Sequence, residues 1–261
     1  MPKFEGPVFG APCWVDLTVG NLDAVKPFYA ALFGWEFADQ GEQFGHYNMV
    51  SIGGAVVGGA MQYSAEYMGP EEINAWSTFF ATENAEASLQ AASEHGGQVI
   101  TPAMEVPTQG TMASATDVTG ANYGLWQPAA RRGFDKFGEH GFPGWFELHT
   151  RDFDAAGTYY SAVLPAELTD MPMGDDARYA TLNINGEPQA GIFDVAASLP
   201  EGVPNHWLVY FIVDDTDAAM ETARNHGGTV LSEAVDSPQG RFAKLQDPSG
   251  ATFFVISGAE M

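Results

Sequence analysis

Residues 13–34 read CWVDLTVGNLDAVKPFYAALFG, and this stretch decides how the chain folds. Its pattern predicts a β-strand that ends at Val19, a tight turn, and a helix that stops at Gly34. The same order returns in residues 144–165, which read GWFELHTRDFDAAGTYYSAVLP. Trp14 matches Trp145 at an offset of 131 residues, and Asp16 matches Glu147 at the same offset. The chain therefore contains an internal repeat, which organises everything else.

Each half of the chain itself contains two modules of the same kind. In the first half, a second strand is predicted from Ala75 and a second helix over about residues 85–95. The second half repeats both elements, with a strand at 206–213 and a helix at about 216–226. Each helix stops at a Gly-Gly pair, and about three strands follow it. The sequence therefore predicts four modules of one strand, one helix and three strands.

The module pattern also predicts the domain boundaries. We predict an N-terminal arm at residues 1–11 and a first domain at 12–128, which contains modules 12–62 and 74–128. A linker at 129–143 leads to a second domain at 144–258, which contains modules 144–196 and 205–258. Asn21 is expected to cap the first helix. Pro27 lacks a backbone donor inside that helix, so we expect a late helix start or a bend there. His95 and His226 precede helix-ending glycines, and we assign them to the helix ends.

Composition restricts the partners of the chain. The net charge is -24 over 261 residues, so nucleic acid and anionic membrane surfaces are expected to be repelled. Cys13 is the only cysteine, which excludes an internal disulfide and favours a cytoplasmic location. No signal peptide and no membrane-length apolar run are visible in the sequence. We expect a small-molecule partner and a monomer or homodimer.

Several motifs together resemble one protein family. They are WVDL at 14–17, FYAALFGW at 28–35, VDD at 213–215, HGG at 226–228 and DPSGA at 247–251. With these motifs the chain resembles the vicinal oxygen chelate superfamily, which includes glyoxalase I, bleomycin-resistance proteins and extradiol dioxygenases. It is similar in particular to the tandem-domain actinobacterial branch often labelled "glyoxalase or hydroxylase". The resemblance implies an α+β fold in which four βαβββ modules pair into two cups that hold a small molecule.

The resemblance also implies where a metal would bind. The metal enzymes of the superfamily use His and Glu ligands from the first strand of each module and from the last strand. In this chain the first-strand positions are Trp14, Ser77, Trp145 and Leu208, and the last-strand positions are Gly124 and Phe254. None of these side chains is a metal ligand. We therefore predict that the chain has no metal site and needs no cofactor.

Alternation along the strands predicts the candidate catalytic residues. Side chains two residues apart share a face of a strand, so Glu147 and His149 lie on the same face as Trp145. A carboxylate beside an imidazole suits general acid–base chemistry, and we predict Glu147 and His149 as the catalytic pair. The alternative is that they are ordinary polar strand residues with satisfied hydrogen bonds.

The same faces predict an aromatic ligand pocket with a few polar groups. The predicted ligand-binding residues are Trp14, Asp16, Phe79, Trp126, Trp145, His206, Tyr210, Arg241 and Phe254. Tryptophans on these faces also suit the core or the wall of a domain. Arg241 is expected to orient an anionic group, with a surface salt bridge as the alternative.

Three functions remain open from the sequence. The first is a metal-independent lyase, isomerase or hydroxylase-type enzyme that acts on an apolar or aromatic molecule, such as a natural-product intermediate. The second is a protein that binds and sequesters a small molecule or antibiotic without catalysis. The third is a metal-dependent lyase or dioxygenase with displaced ligands, which would draw on Glu147, His149 and His206.

Overall fold

The structure is a computed structural model that describes residues 8–173 and 177–258, without the side chain of Tyr67. Residues 1–7 of the predicted arm lie outside the described residues. Among the described residues, none of the helices has the length and apolar character needed to cross a lipid bilayer.

The first half of the chain forms two modules. Module 1 consists of β1 (Pro12–Val19), α1 (Leu22–Phe33), β2 (Glu36–Asp39), β3 (Asn48–Ile52) and β4 (Ala55–Gln62), with a 3-10 turn at Glu42–Phe44. A short helix, α2 (Ala65–Met68), leads to module 2, which consists of β5 (Ala75–Ala81), α3 (Ala85–Glu94), β6 (Gln98–Val106), β7 (Gly110–Thr116) and β8 (Asn122–Pro128). The strands form a mixed eight-stranded sheet in the order β2-β3-β4-β1-β5-β8-β7-β6.

The second half repeats this order. Module 3 consists of β9 (Pro143–Thr150), α4 (Phe153–Val163), β10 (Glu167–Pro172), β11 (Arg178–Ile184) and β12 (Glu187–Asp194). Module 4 consists of β13 (His206–Ile212), α5 (Thr216–Asn225), β14 (Thr229–Val230), β15 (Val235–Ser237), β16 (Gly240–Gln246) and β17 (Thr252–Ser257). Their sheet has the order β10-β11-β12-β9-β13-β17-β16-β14, with β15 on β16. The predicted α+β fold of two tandem repeats is confirmed.

Helix boundaries follow local capping. The Asn21 side chain accepts from the backbone N–H of Ala24 at 3.2 Å, as predicted, and α1 ends at Gly34, whose φ is +74°. Of the two alternatives predicted for Pro27, a late helix start or a bend, the late start is wrong, because α1 begins at Leu22. Pro27 lies on the exposed side of the helix, where water can bind the carbonyl group that the missing N–H leaves unpaired. The Nδ1 atoms of His95 and His226 lie 2.8 and 2.9 Å from carbonyl oxygens of their own helices, which supports their assignment to the helix ends.

Contacts divide the chain into two compact units that are not the two halves of the sequence. Of the described residues, unit 1 comprises the chain up to Trp14, Thr78–Gly133 and Trp145–Leu208. Unit 2 comprises Val15–Ser77, Phe134–Gly144 and the chain from Val209. The divisions fall within β1, β5, β9 and β13. Unit 1 therefore holds most of modules 2 and 3, and unit 2 holds most of modules 1 and 4. The predicted domain boundaries stay a prediction.

Each unit has a buried tyrosine triad, which we define as a tyrosine, an aspartate and a tryptophan. In unit 1 the Tyr160 hydroxyl donates to Asp117 Oδ2 at 3.0 Å and accepts from Trp207 Nε1 at 2.8 Å. In unit 2 the same atoms join Tyr29, Asp247 and Trp76 at 3.0 and 3.1 Å. Burial raises the pKa of both tyrosine hydroxyls well above the usual range, and the aspartate charge raises it further. Both tyrosines therefore stay protonated donors.

The second oxygen of each triad aspartate organises a turn. Asp247 Oδ1 accepts from the backbone N–H groups of Ser249, Gly250 and Ala251 at 2.8 to 3.0 Å. Asp117 Oδ1 accepts from Thr119 and Ala121 at 2.7 and 3.0 Å. These bonds explain the Asp-X-Ser/Thr-Gly pattern that precedes the last strand of modules 2 and 4.

Candidate functional site

Glu147 and His149 share one face of β9, as their spacing predicts. His149 Nε2 lies 2.7 Å from Glu147 Oε1, and the two residues are only 8% and 7% exposed. A carboxylate only accepts hydrogen bonds, so the proton of the neutral imidazole sits on Nε2 and the lone pair on Nδ1. The pair therefore forms a base with an orienting carboxylate.

Tyr179 on β11 holds the carboxylate of this pair. Its hydroxyl donates to Glu147 and accepts from Trp145 Nε1 at 2.8 Å. Burial raises the pKa of Tyr179 well above its usual range, and the charge of Glu147 adds to the effect, so the hydroxyl stays a donor. A Cβ atom at Gly191 would overlap the Tyr179 hydroxyl, and only glycine leaves room for it. Trp145, Tyr179, Glu147 and His149 thus form one hydrogen-bonded chain.

A second histidine lies beside this chain in unit 1. The ring centroids of His149 and His206 are 5.7 Å apart, and the edge of Phe193 meets the His149 ring at 5.6 Å. His206 Nδ1 lies 2.8 Å from the carbonyl oxygen of Pro204. A carbonyl only accepts, so the lone pair of neutral His206 is on Nε2. The site therefore presents two imidazoles whose tautomers are set by their partners.

Arg151 fixes the segment that leads into His206. Its guanidinium donates to the backbone carbonyls of Val203 and Pro200, both at 2.7 Å, and of Leu199 at 3.2 Å. Its backbone N–H donates to the Asn205 side chain at 3.0 Å. The end of β9 and residues 199–205 are therefore tied together directly after His149 and directly before His206.

The first repeat has a simpler arrangement at the equivalent positions, which lie in unit 2. The Tyr47 hydroxyl donates to Asp16 Oδ1 at 2.5 Å, and a Cβ atom at Gly59 would overlap that hydroxyl. The residue two positions after Asp16 is Thr18, where the second repeat has His149. The equivalent strand positions of the first repeat therefore have the tyrosine and the carboxylate, with a threonine in place of the imidazole.

Two other predicted ligand-binding residues of unit 1, Phe79 and Trp126, contact residues of the same unit. The Phe79 ring fills the space above Gly124, its partner across β5 and β8. Trp126 Nε1 donates to the carbonyl oxygen of Arg131 at 2.8 Å. Trp14, on β1, is 8% exposed. Their ligand-binding roles stay predictions.

In unit 2, Tyr210 and Phe254 stack with ring centroids 4.4 Å apart and an interplanar angle of 6°. Arg241 donates to Asp217 at 3.0 Å and to Asp236 at 3.0 Å. These contacts are those of the surface salt bridge alternative, and the ligand-binding roles of Tyr210, Phe254 and Arg241 stay predictions.

The residues at the family metal positions do not fit a metal. The Trp145 indole donates to Tyr179, Phe79 covers Gly124, and Phe254 stacks on Tyr210. Leu208 offers no donor atom. Within residues 8–173 and 177–258, no group of three or more His, Cys, Asp or Glu side chains is arranged to hold a metal ion.

Sequence reasoning missed Tyr179 and Arg151. A glycine inside a strand signals a close approach, so Gly191 could have pointed to Tyr179. No local signal identifies the carbonyl groups that Arg151 binds.

Comparison with known proteins places both repeats in one group. A family model described as the glyoxalase/bleomycin resistance protein/dioxygenase superfamily matches residues 13–122, and a model of a glyoxalase-like domain matches residues 145–256. CFP32 of Mycobacterium tuberculosis, a protein named as a glyoxylase, is 37% identical over 265 residues and covers 99% of each chain.

Two further likenesses come from a biosynthetic protein and from a solved structure. The anthracycline biosynthesis protein DauV of Streptomyces sp. (strain C5) is 34% identical over 263 residues, which cover 95% of this chain and 93% of DauV. The crystal structure of the 2,3-dioxygenase LapB from Pseudomonas sp. KL28 matches with a TM-score of 0.66 at 14% identity, over 97% of this chain and 94% of LapB. At that identity the match shows the fold alone.

Proposed function

Because this chain belongs to the glyoxalase/bleomycin resistance/dioxygenase superfamily, we propose that it is a metal-independent enzyme acting on an aromatic or apolar small molecule. The observation that carries the proposal is the buried hydrogen bond between Glu147 and His149. Aromatic side chains beside the pair, Phe193 and Tyr179, suit a flat ligand. The similarity to a protein of anthracycline biosynthesis supports an aromatic natural-product intermediate as the substrate class.

In this mechanism His149 is the general base. Its Nδ1 takes a proton from the substrate, and the carboxylate of Glu147 stabilises the imidazolium that forms. Tyr179 and Trp145 hold the carboxylate in place. Return of the proton to a different substrate atom completes an isomerisation. In a lyase reaction the electron pair of the broken C–H bond forms a double bond, and the leaving group departs with its own electron pair and takes the proton from the imidazolium.

The second candidate function is binding without catalysis. It is supported by the stack of Tyr210 on Phe254, because an aromatic wall is sufficient for sequestration of a flat molecule. The two functions differ in one respect that can be measured. Only the enzyme needs the Glu147–His149 pair for proton transfer, whereas a binding protein needs the pair for affinity at most.

Deuterium exchange tests the proposal without knowledge of the product. A panel of anthracyclinone-type aromatic compounds is incubated with the protein in heavy water, and deuterium uptake into each compound is followed by mass spectrometry. We expect the protein to accelerate exchange at one carbon of at least one compound. His149→Ala and Glu147→Gln should reduce this acceleration by about 100-fold or more, since general acid–base catalysis contributes factors of that size.

A matched variant of the first repeat serves as the control. Thr18 occupies the strand position equivalent to His149, and Thr18→Ala should leave the exchange rate within about twofold. Unchanged exchange in both second-repeat variants would contradict the proposal, and tight binding without exchange would favour sequestration. Elemental analysis of the same preparation tests metal independence, which a stoichiometric metal ion would refute.

A further inference from the structure

Modules 2 and 4 differ at one position beside the start of their helices. In module 4 the Arg241 guanidinium donates to both carboxylate oxygens of Asp217 on α5, at 3.0 Å each, and to Asp236 on β15 at 3.0 Å. The register pairs Arg241 with Asp236 on one side and with Ser257 on the other, and Ser257 accepts from the first N–H of α5. Two carboxylates from two elements therefore hold this guanidinium.

Module 2 has two carboxylates at the same places but lacks the arginine. Thr111 pairs with Glu105 across the β6–β7 hairpin and with Gln127 of β8, which accepts from the first N–H of α3 at 3.0 Å. Glu86 is the second residue of α3. Register and helix position therefore give the equivalent pairs, which are Glu86 and Asp217, Glu105 and Asp236, and Thr111 and Arg241. A threonine stands where module 4 has a guanidinium.

A cavity lies beside the two carboxylates of module 2. Its volume is about 400 Å³, which is in the range of small-molecule pockets. It is lined by Asn84, Glu86, Ala103, Glu105, Thr111 and Gln127. Within residues 8–173 and 177–258, the side chains of Glu86 and Glu105 make no hydrogen bond and no ion pair. Two carboxylates on one cavity repel each other and attract a cation.

The helices of the other three modules show what a carboxylate at this position binds. The second residue of each helix is acidic and forms an ion pair with a cationic side chain of its own module. The pairs are Asp23 with Lys26 at 2.9 Å, Asp154 with Arg178 at 2.7 Å, and Asp217 with Arg241 at 3.0 Å. Residues 74–128, which form module 2, contain no lysine and no arginine. A cation for Glu86 must therefore come from outside the module.

We propose that this cavity binds a guanidinium cation of another molecule. Glu86 accepts two parallel N–H groups, as Asp217 does from Arg241, and Glu105 accepts a third. The planar guanidinium presents its donors in this fixed fork, whereas an ammonium group does not. The net charge of -24 attracts cations to the chain. The cavity shares no residue with the acid–base pair, so the inference goes beyond the proposed function and is independent of it.

Two probes that differ in charge test the site. Ethylguanidinium carries the charged end of an arginine side chain, and ethylurea is its neutral isostere. Each is titrated into isotope-labelled protein at pH 7 and low ionic strength, and the backbone amide resonances are followed by NMR. We expect saturable shifts at Glu86, Glu105 and Thr111, with ethylguanidinium bound about tenfold more tightly than ethylurea, since two exposed ion pairs together contribute about that factor.

Variants of module 2 connect the shifts to the cavity. Thr111→Arg places an arginine where module 4 has one and should abolish the response to ethylguanidinium. Glu86→Gln removes one charge from an exposed side chain and should abolish the preference for ethylguanidinium, even if Thr111→Arg does not fold. Glu94→Gln, at the other end of α3, is the matched control and should leave the preference unchanged. An equal response to both probes, no saturable response, or an unchanged preference in Glu86→Gln would each overturn the proposal.

A third probe identifies the source of the cation. The blocked peptide Gly-Arg-Gly presents the same guanidinium on a polypeptide backbone. Tighter binding of the peptide than of ethylguanidinium would support the site and assign it to an arginine of a protein partner. Equal or weaker binding of the peptide would support the site and assign it to a small guanidinium compound. The assay needs no turnover, so the acid–base proposal can fail while this one stands.

Discussion

The two compact units share the same buried triad, whereas the two repeats differ at the strand positions of the candidate site. On the helix-covered face, each compact unit has the same tyrosine triad with the same atoms at the same distances to within a few tenths of an ångström. On the opposite face, Asp16 and Thr18 of the first repeat stand where the second repeat has Glu147 and His149. The triads maintain the fold, and the opposite face is where chemistry could change without disturbing it.

The difference at the opposite face is confined to few positions. Both repeats keep a tyrosine above a glycine and a carboxylate that accepts from that tyrosine. The second repeat adds an imidazole at position 149 and the Arg151 clamp on the segment before His206. The proposed acid–base site of the second repeat thus differs from the tyrosine–carboxylate pair of the first repeat chiefly by one histidine.

Removal of the triad aspartates should have the largest effect and should affect both units alike. Asp117→Ala and Asp247→Ala each leave a buried tyrosine hydroxyl and several turn N–H groups without an acceptor. We expect each variant to lose about 3 kcal/mol of unfolding free energy, measured by urea denaturation. Asp170→Ala, on an exposed strand, should change stability by less than about 0.5 kcal/mol. A large difference between the two triad variants would break the equivalence of the units.

Removal of the triad hydroxyls should have a smaller effect that depends on pH. Tyr160→Phe and Tyr29→Phe leave an aspartate oxygen and an indole N–H unpaired, and we expect a loss of about 2 kcal/mol each at pH 7. The folded-state pKa of both tyrosines is raised above the usual 10.0, chiefly by burial. The stabilisation of the folded state by these two tyrosines is therefore complete below pH 10. It declines as the pH rises further, because there the tyrosine hydroxyl ionises only in the unfolded chain.

The Phe variants lack this ionisation, so their stability deficit should shrink at high pH. Between about pH 9 and pH 11 the deficit should narrow by about 1.4 kcal/mol for each variant. Urea denaturation at the two pH values measures it. A deficit that stays constant would show that the hydroxyl ionises as easily in the folded protein as in the unfolded chain.

Arg151→Ala should have the smallest effect on global stability, because the clamp lies at the surface. We expect less than about 1 kcal/mol of lost unfolding free energy but faster proteolysis within residues 195–205. The NMR signature of the His206 tautomer should weaken in the same variant. Arg178→Ala removes another exposed arginine, which pairs with Asp154, and should change neither readout. Gly20, the first-repeat counterpart of Arg151, has the Glu72 side chain in the equivalent space.

The sequence predicted most of the architecture because the internal repeat can be recognised from the sequence alone. The constant offset of 131 residues aligned the two modules of the first half with the two modules of the second half. Asn21 marked the start of α1, and glycines marked the C-terminal ends of helices. Asn21 predicted the start of α1 correctly, and the late start that Pro27 suggested as one of two alternatives was wrong, since a proline on an exposed helix side is tolerated when water reaches the unpaired carbonyl. The pairing of modules into compact units was not predictable, because it depends on contacts between distant segments.

The candidate site was predictable only along a single strand. The spacing of Glu147 and His149 predicted their shared face directly. Tyr179 reaches Glu147 from β11, two strands away in the sheet, and that contact depends on registers that no local pattern fixes. Arg151 binds backbone carbonyls, which have no sequence signature.

The chain separations within the triads have a consequence for synthesis on the ribosome. In unit 1, Tyr160 and Asp117 are 43 residues apart, whereas in unit 2, Tyr29 and Asp247 are 218 residues apart. Contacts of long sequence separation form late, because a larger loop must close. The aromatic face of α1 can therefore contact Phe253 only after nearly the whole chain has been synthesised. The triad of unit 1 can form earlier in synthesis. Nascent chains halted after residue 240, with Trp207 already outside the ribosomal exit tunnel and Asp247 not yet synthesised, should protect Tyr160 from solvent and leave Tyr29 accessible.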